Sequence, residues 1–228
     1  MSLKWRILVG VIIVIILWKM YTHYGTYQSK GLDVIPKTEP TGDEKKIKLT
    51  VYYEALCSDS RNFILSQLLP TYNLLGKYLY LELVPYGKAK TIEEGDKITF
   101  QCQHGALECV ANKIHACVLD KITSSYFRLK YVACMIADNL VPEEAGERCA
   151  KDLNFSYQPI SECAASERGN LLLKAYGIAT HAVQPTISFI PTVEVDGSQK
   201  IPLAHLLKDL KKELCQLLPI NTEECIEL

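Results

Sequence analysis

The sequence predicts a mixed α/β (α+β) domain that carries a disulfide-rich helical insertion. Three observations predict it. Ile47 to Glu54 (IKLTVYYE) alternates and is rich in β-branched and aromatic residues, the pattern of a strand. Cys57 follows at once and leads into apolar residues at helical spacing, after which a second strand pattern begins near Tyr78. From about residue 98 to 153 the chain turns helical and cysteine-rich before a late strand returns.

The elements follow in order. Lys4 and Arg6 precede an uninterrupted apolar run, Ile7 to Trp18, and Lys19 ends it. A basic flank before a short apolar run is the form of a secretory signal. The run is shorter than the roughly 20 residues of a membrane helix, and extending it through Tyr21 with Lys19 snorkelling makes an anchor over residues 7–21. Residues 1–25 are thus read as signal anchor or cleaved signal peptide. A buried helix at the extreme terminus is the third alternative. Residues 26–46 contain Gly31, Pro36, Pro40, Gly42 and a charge cluster, and read as a linker to a domain over 47–228.

Within that domain, Ser58 or Asp59 is placed to cap the first helix, which carries Phe63, Leu65, Leu68, Leu69, Tyr72 and Leu75. Pro70 is expected to kink it. Tyr78 to Val84 is the second strand, stopped by Pro85 and Gly87. Helices are expected near Gly105–Lys121, Ser124–Asn139, Glu143–Lys151 and Ile160–Ile178. Thr192 to Val195 is a strand, Asp196-Gly197 a turn, and Leu203 to Cys215 one amphipathic closing helix. Strand, cysteine turn, helix, strand is the opening half of a thioredoxin-like unit.

Composition narrows the function. A net charge of -1 over 228 residues gives no electrostatic case for nucleic acid. Nine cysteines suit an oxidising compartment, and Asn154-Phe155-Ser156 is an N-glycosylation sequon usable there. An odd count implies a free thiol or an intermolecular bond. If Cys102, Cys109, Cys117, Cys134, Cys149, Cys163, Cys215 and Cys225 form bridges, Cys57 is left over. Eight cysteines allow 105 pairings, and only Cys215 with Cys225 suggests itself as a local pair.

Cys102-Gln103-His104-Gly105, Glu108-Cys109, Asn112 and Cys117 fall at fixed offsets. The run resembles the CQHGxxECxxNxxxxC signature of the gamma-interferon-inducible lysosomal thiol reductase (GILT) family. Zinc is a competing reading, with Cys102, His104, Cys109 and Cys117 as four ligands, but the C-x-x-C knuckle is missing. No metal and no cofactor is therefore expected, and His104 and Glu108 are read as satisfying buried polar groups around the bridges. A saposin-like lipid-binding module would leave the strands at Ile47 and Tyr78 unexplained.

The resemblance implies a thioredoxin-like lumenal protein acting on cysteine-containing polypeptides in an acidic endosomal or lysosomal compartment, or outside the cell. It implies a reactive Cys57, and a cis Pro191 facing it to hold extended substrate. Family reductases have Cys-x-x-Cys where this chain has Cys57-Ser58-Asp59-Ser60. A helix amino terminus favours a thiolate, but a hydroxyl at Ser60 cannot release a mixed disulfide. Three readings stay open. Cys57 is a monothiol nucleophile completed by a small-molecule thiol. Alternatively the protein traps or binds partners without turnover, or Cys57 is inert and buried.

Overall fold

A computed structural model describes residues 17–19, 46–138 and 140–226. The chain divides into two units between residues 43 and 44, and the fold below belongs to the second. Leu17–Lys19, in the first unit, is helical. Among the described residues no helix is long and apolar enough to cross a membrane. The expected anchor or signal peptide and the linker lie, apart from Leu17–Lys19 and Lys46, outside the described residues.

Strand β1 (Ile47–Tyr53) is the centre of a three-stranded sheet. It pairs parallel with β2 (Leu79–Pro85), Leu49 opposite Leu81, and antiparallel with β5 (Thr192–Val195), Val51 opposite Val193. Alternation along β1 sends Leu49, Val51 and Tyr53 into the main core, while Tyr52 joins a second cluster with Cys57, Val84 and Ile190. Six of its seven residues are buried, Lys48 being exposed, so β1 is covered on both faces over most of its length.

The crossover from β1 to β2 is helical from Ser58 to Leu75. It comprises α1 (Ser58–Phe63), a π-helical segment Ile64–Leu68 and α2 (Leu69–Leu75). Pro70 has no N–H to give and its ring crowds the carbonyl of Ser66. The chain answers with the wider π turn, in which the Leu69 N–H reaches back to the Ile64 carbonyl. The expected kink is therefore absorbed as a change of pitch.

After β2 comes an unexpected hairpin, β3 (Lys90–Glu94) with β4 (Lys97–Gln101), turning at Gly95, whose φ is +59°. The stretch from 98 thus begins as strand, and its helices start at Ala106. They are α3 (Ala106–Lys121), α4 (Ser125–Ala137), α5 (Pro142–Asp152), α6 (Gln158–Ala165) and α7 (Glu167–His181). Ile114, Val118, Tyr131, Met135 and Ile160 form a core of their own. Cys117–Cys163 and Cys134–Cys149 staple it, and Cys102–Cys109 closes the loop before α3.

Two helices expected to be continuous are broken. The span 160–178 splits at Ser166, which is extended and whose hydroxyl donates to the Cys163 carbonyl. Leu203–Cys215 splits at Asp209 into α8 (Leu203–Lys208) and α9 (Leu210–Cys215), because the Asp209 carboxylate accepts the Lys212 N–H and starts a new helix. Cys215–Cys225 ties the last helix to the tail. Asp196 and Gly197 both have positive φ, a tight turn that returns the chain at Ser198.

Candidate functional site

Cys57 occupies the N-cap of α1, with extended φ and ψ. Its own Sγ accepts the Ser60 N–H at 3.5 Å, so it does the capping expected of Ser58 or Asp59. The sulfur is placed among unsatisfied helix N–H groups and the positive end of the dipole. On its other side Sγ donates to the Ile190 carbonyl at 3.8 Å. The Ile190–Pro191 peptide is cis, as is Gln184–Pro185, which had no signal in the sequence. Cys57 is 9% exposed and is the one cysteine outside a bridge.

Ser60 is fully buried. Its Oγ accepts the Glu54 N–H at 3.3 Å. Serine here closes the turn from inside.

The segment Glu54–Cys57 is held from one side by α3 and the loop before it. Asn112 Oδ1 accepts the Ala55 N–H at 3.0 Å, and Glu108 Oε2 accepts the Leu56 N–H at 3.3 Å. Glu108 Oε1 accepts the His104 N–H at 3.0 Å, and the His104 ring meets Glu108 Oε2 at 2.6 Å. Glu54 is buried too; its Oε1 accepts the Lys88 N–H at 2.6 Å, and its Oε2 lies 3.4 Å from His104 Nδ1. Burial holds the Glu54 carboxyl above its ordinary range, and the Glu108 charge pushes the same way against the Lys88 N–H and His104. One turn further along α3, His115 Nδ1 meets the Tyr53 hydroxyl at 3.1 Å, and burial pushes its imidazole down to about 3.

The structure thus adds a second job to the one read in the sequence for the cysteine-bracketed window. Glu108 satisfies His104 inside the loop closed by Cys102–Cys109 and also holds the Leu56 N–H before Cys57. Cys102 pairs with Cys109 and Cys117 with Cys163, so these cysteines and His104 do not converge as a zinc site. Glu54, His104 and Glu108 do bring three donor atoms within 4.8 Å of one another. Ligands about 2.1 Å from one cation stand roughly 3 Å or more apart, whereas 2.6 Å between His104 and Glu108 is a hydrogen bond. Asn154 lies in the turn after α5, exposed, with φ of +60°. Sequence reasoning missed Glu54, Asn112, His115 and the Ile190 carbonyl. Only Asn112, standing in the signature, carried a signal.

A three-stranded sheet, a cysteine-capped helix and a cis proline beside the sulfur define a thioredoxin-like protein with an inserted helical unit. The fold resembles that of Chlamydia trachomatis DsbA, with a TM-score of 0.56 and 17% identity, over 82% of this chain and 97% of that one. Residues 48–153 match the family model of the gamma interferon inducible lysosomal thiol reductase. A gamma-interferon-inducible lysosomal thiol reductase-like protein of Anopheles gambiae is 34% identical over 198 residues, which is 81% of this chain and 82% of that one. The mouse gamma-interferon-inducible lysosomal thiol reductase is 31% identical over 173 residues, 75% of this chain and 70% of that one. The chain belongs to this family, and family and fold together support a thiol–disulfide oxidoreductase.

Proposed function

We propose that the protein is a monothiol oxidoreductase acting on polypeptide disulfides. The observation that carries this reading is Cys57: one unbridged thiol among nine cysteines, at a helix N-cap, against the carbonyl that precedes a cis proline. The Cys57 thiolate attacks one sulfur of a substrate disulfide, forming a mixed disulfide and expelling the other substrate sulfur as a thiolate. Ser60 cannot open this bond. A small-molecule thiol attacks Cys57 Sγ, releases the second substrate thiol and stays on Cys57. A second small thiol then displaces Cys57 as thiolate. One substrate disulfide is reduced and two small thiols become one disulfide, so electrons balance.

Pro191, with Ile190 beside it, would seat the extended chain around the attacked disulfide. Four bridges and the lysosomal relatives favour an acidic endosomal or lysosomal lumen, or the extracellular space, and exposed Asn154 would carry a glycan there. Insulin reduction at about pH 5 with excess small thiol tests the reading. Wild type reduces insulin, Cys57→Ser does not, and Ser60→Cys is faster. A second reading, trapping without turnover, is favoured by one feature: the other eight cysteines are all bridged and Ser60 is no thiol, so no free cysteine of this chain is at hand to release the adduct. Inactive wild type with active Ser60→Cys would select it.

A further inference from the structure

Glu54 and Glu108 are both fully buried, one at the end of β1 and the other in the first turn of α3. His104 lies between them, its Nδ1 at 2.6 Å from Glu108 Oε2 and 3.4 Å from Glu54 Oε2. Its side chain is 37% exposed and forms the cluster's outlet to water. The positions are built, not incidental. Gly87, with φ of +61°, closes over Glu54 so tightly that a Cβ there would lie 2.1 Å from Glu54 Cγ. Glu54 Oε2 has no hydrogen-bond partner, although Oε1 is satisfied by Lys88. The same Glu108 oxygen that meets the imidazole also holds the Leu56 peptide.

Two buried carboxylates sharing one imidazole carry one negative charge too many even when the imidazole is protonated. Adding a proton at Glu54 balances the cluster and turns its orphan oxygen into a donor. The groups facing Glu54 are His104, Glu108 and Lys88; burial, the largest influence, and Glu108 favour that proton, while the Lys88 N–H, His104 and the Lys88 ammonium charge oppose it. We propose that Glu54, His104 and Glu108 form a proton-sharing unit that positions the Cys57 turn, so that Cys57 reactivity follows the protonation of this unit as well as its own. The proposal rests on Cys57 being the nucleophile. It makes Glu54, His104 and Glu108 positioning residues, acting through the Ala55–Leu56 backbone and through charge.

The sign follows. When Glu54 ionises, an uncompensated carboxylate beside the turn disfavours a thiolate on Cys57 and pulls His104 away from Glu108. Glu54→Gln, an isosteric neutral side chain, mimics the protonated unit at every pH.

The experiment is the rate of Cys57 alkylation by iodoacetamide from about pH 4.5 to about pH 8, in wild type and Glu54→Gln, with Cys57→Ser as blank. We expect the two to react alike in acid and Glu54→Gln to pull ahead by at least about threefold towards neutrality, the scale of one nearby like charge. His104→Gln, which removes the shared cation, should change the shape of the wild-type profile too. Profiles of wild type and Glu54→Gln that superimpose across the range, in proteins with equal melting temperatures, overturn the proton-sharing unit and leave the nucleophile standing. A Glu54→Gln protein that does not fold is replaced by His104→Gln, and an unchanged profile there overturns the proposal equally. Cys57 inert in both proteins at every pH overturns the nucleophile and the proposal with it.

Discussion

Lowering the pH from about 8 to about 5 should destabilise the folded domain through His115, and the size of that effect follows from one contact. His115 is 1% exposed on α3, its Nδ1 against the Tyr53 hydroxyl. Burial pushes its pKa down to about 3 from the ordinary 6.5. Between those values the unfolded chain binds a proton that the folded chain does not, so stability falls as pH falls. At about pH 5 the imidazole of the unfolded chain lies about 1.5 pH units below its midpoint. At roughly 1.36 kcal/mol per unit this costs about 2 kcal/mol. The result is insensitive to the folded pKa, because any value well below 5 gives the same loss. Glu54 acts in the opposite sense. Its raised pKa adds stability that is full in acid and lost as pH rises from the ordinary carboxylate range through the folded value. Comparison with His115→Gln, which keeps an acceptor for the Tyr53 hydroxyl, isolates the histidine. Guanidinium unfolding with bridges intact should show wild type losing about 2 kcal/mol more than His115→Gln between the two pH values, or a melting temperature about 4–8 °C further down. Equal pH slopes in the two proteins would refute the assignment of a neutral buried imidazole.

Other perturbations have equally definite outcomes. Gly87→Ala combines a left-handed backbone with a Cβ driven into Glu54, and should cost about 2 kcal/mol or more by denaturant unfolding; a change under about 0.5 kcal/mol would contradict the enclosure of Glu54. Glu108→Ala leaves the part-buried Leu56 N–H unpaired and should cost about 1–3 kcal/mol, whereas Glu108→Gln, which keeps a side-chain acceptor, should recover part of it in the same melts. Replacing Cys117 and Cys163 by Ala opens a loop of 46 residues between α3 and α6, and a loss near 4 kcal/mol is expected from chain entropy.

The strand–cysteine–helix–strand opening was legible because β1 buries both faces and its β-branched and aromatic residues leave no competing pattern. The late strand was bounded by Pro191 before it and the Asp196-Gly197 turn after it. The β3–β4 hairpin was not legible, since it is largely exposed and its apolar residues Ile92, Ile98 and Phe100 are diluted by Glu93, Glu94, Asp96 and Lys97. Breaks at Ser166 and Asp209 come with side-chain hydrogen bonds; at Asp209 the apolar spacing runs on unbroken, whereas Ser166 opens the polar stretch Ser166 to Asn170. At the site, the odd cysteine count called for a free thiol, and the family resemblance placed it at Cys57. Its supporting network could not be read, because Glu108 reaches Leu56 across 52 residues of sequence and Asn112 reaches Ala55 across 57. Helical periodicity says which residues share a face, not which distant peptide they meet.

The central claim is that Cys57 opens a disulfide and depends on an external thiol to be freed. Its most direct test is intact-mass and peptide mapping of the protein mixed at about pH 5 with a disulfide-bonded peptide, first without and then with a small thiol. The account predicts one peptide adduct, mapped to Cys57, that persists until the small thiol is added and then clears with release of both peptide thiols. An unmodified Cys57, or an adduct mapped to one of the eight bridge cysteines, would contradict it.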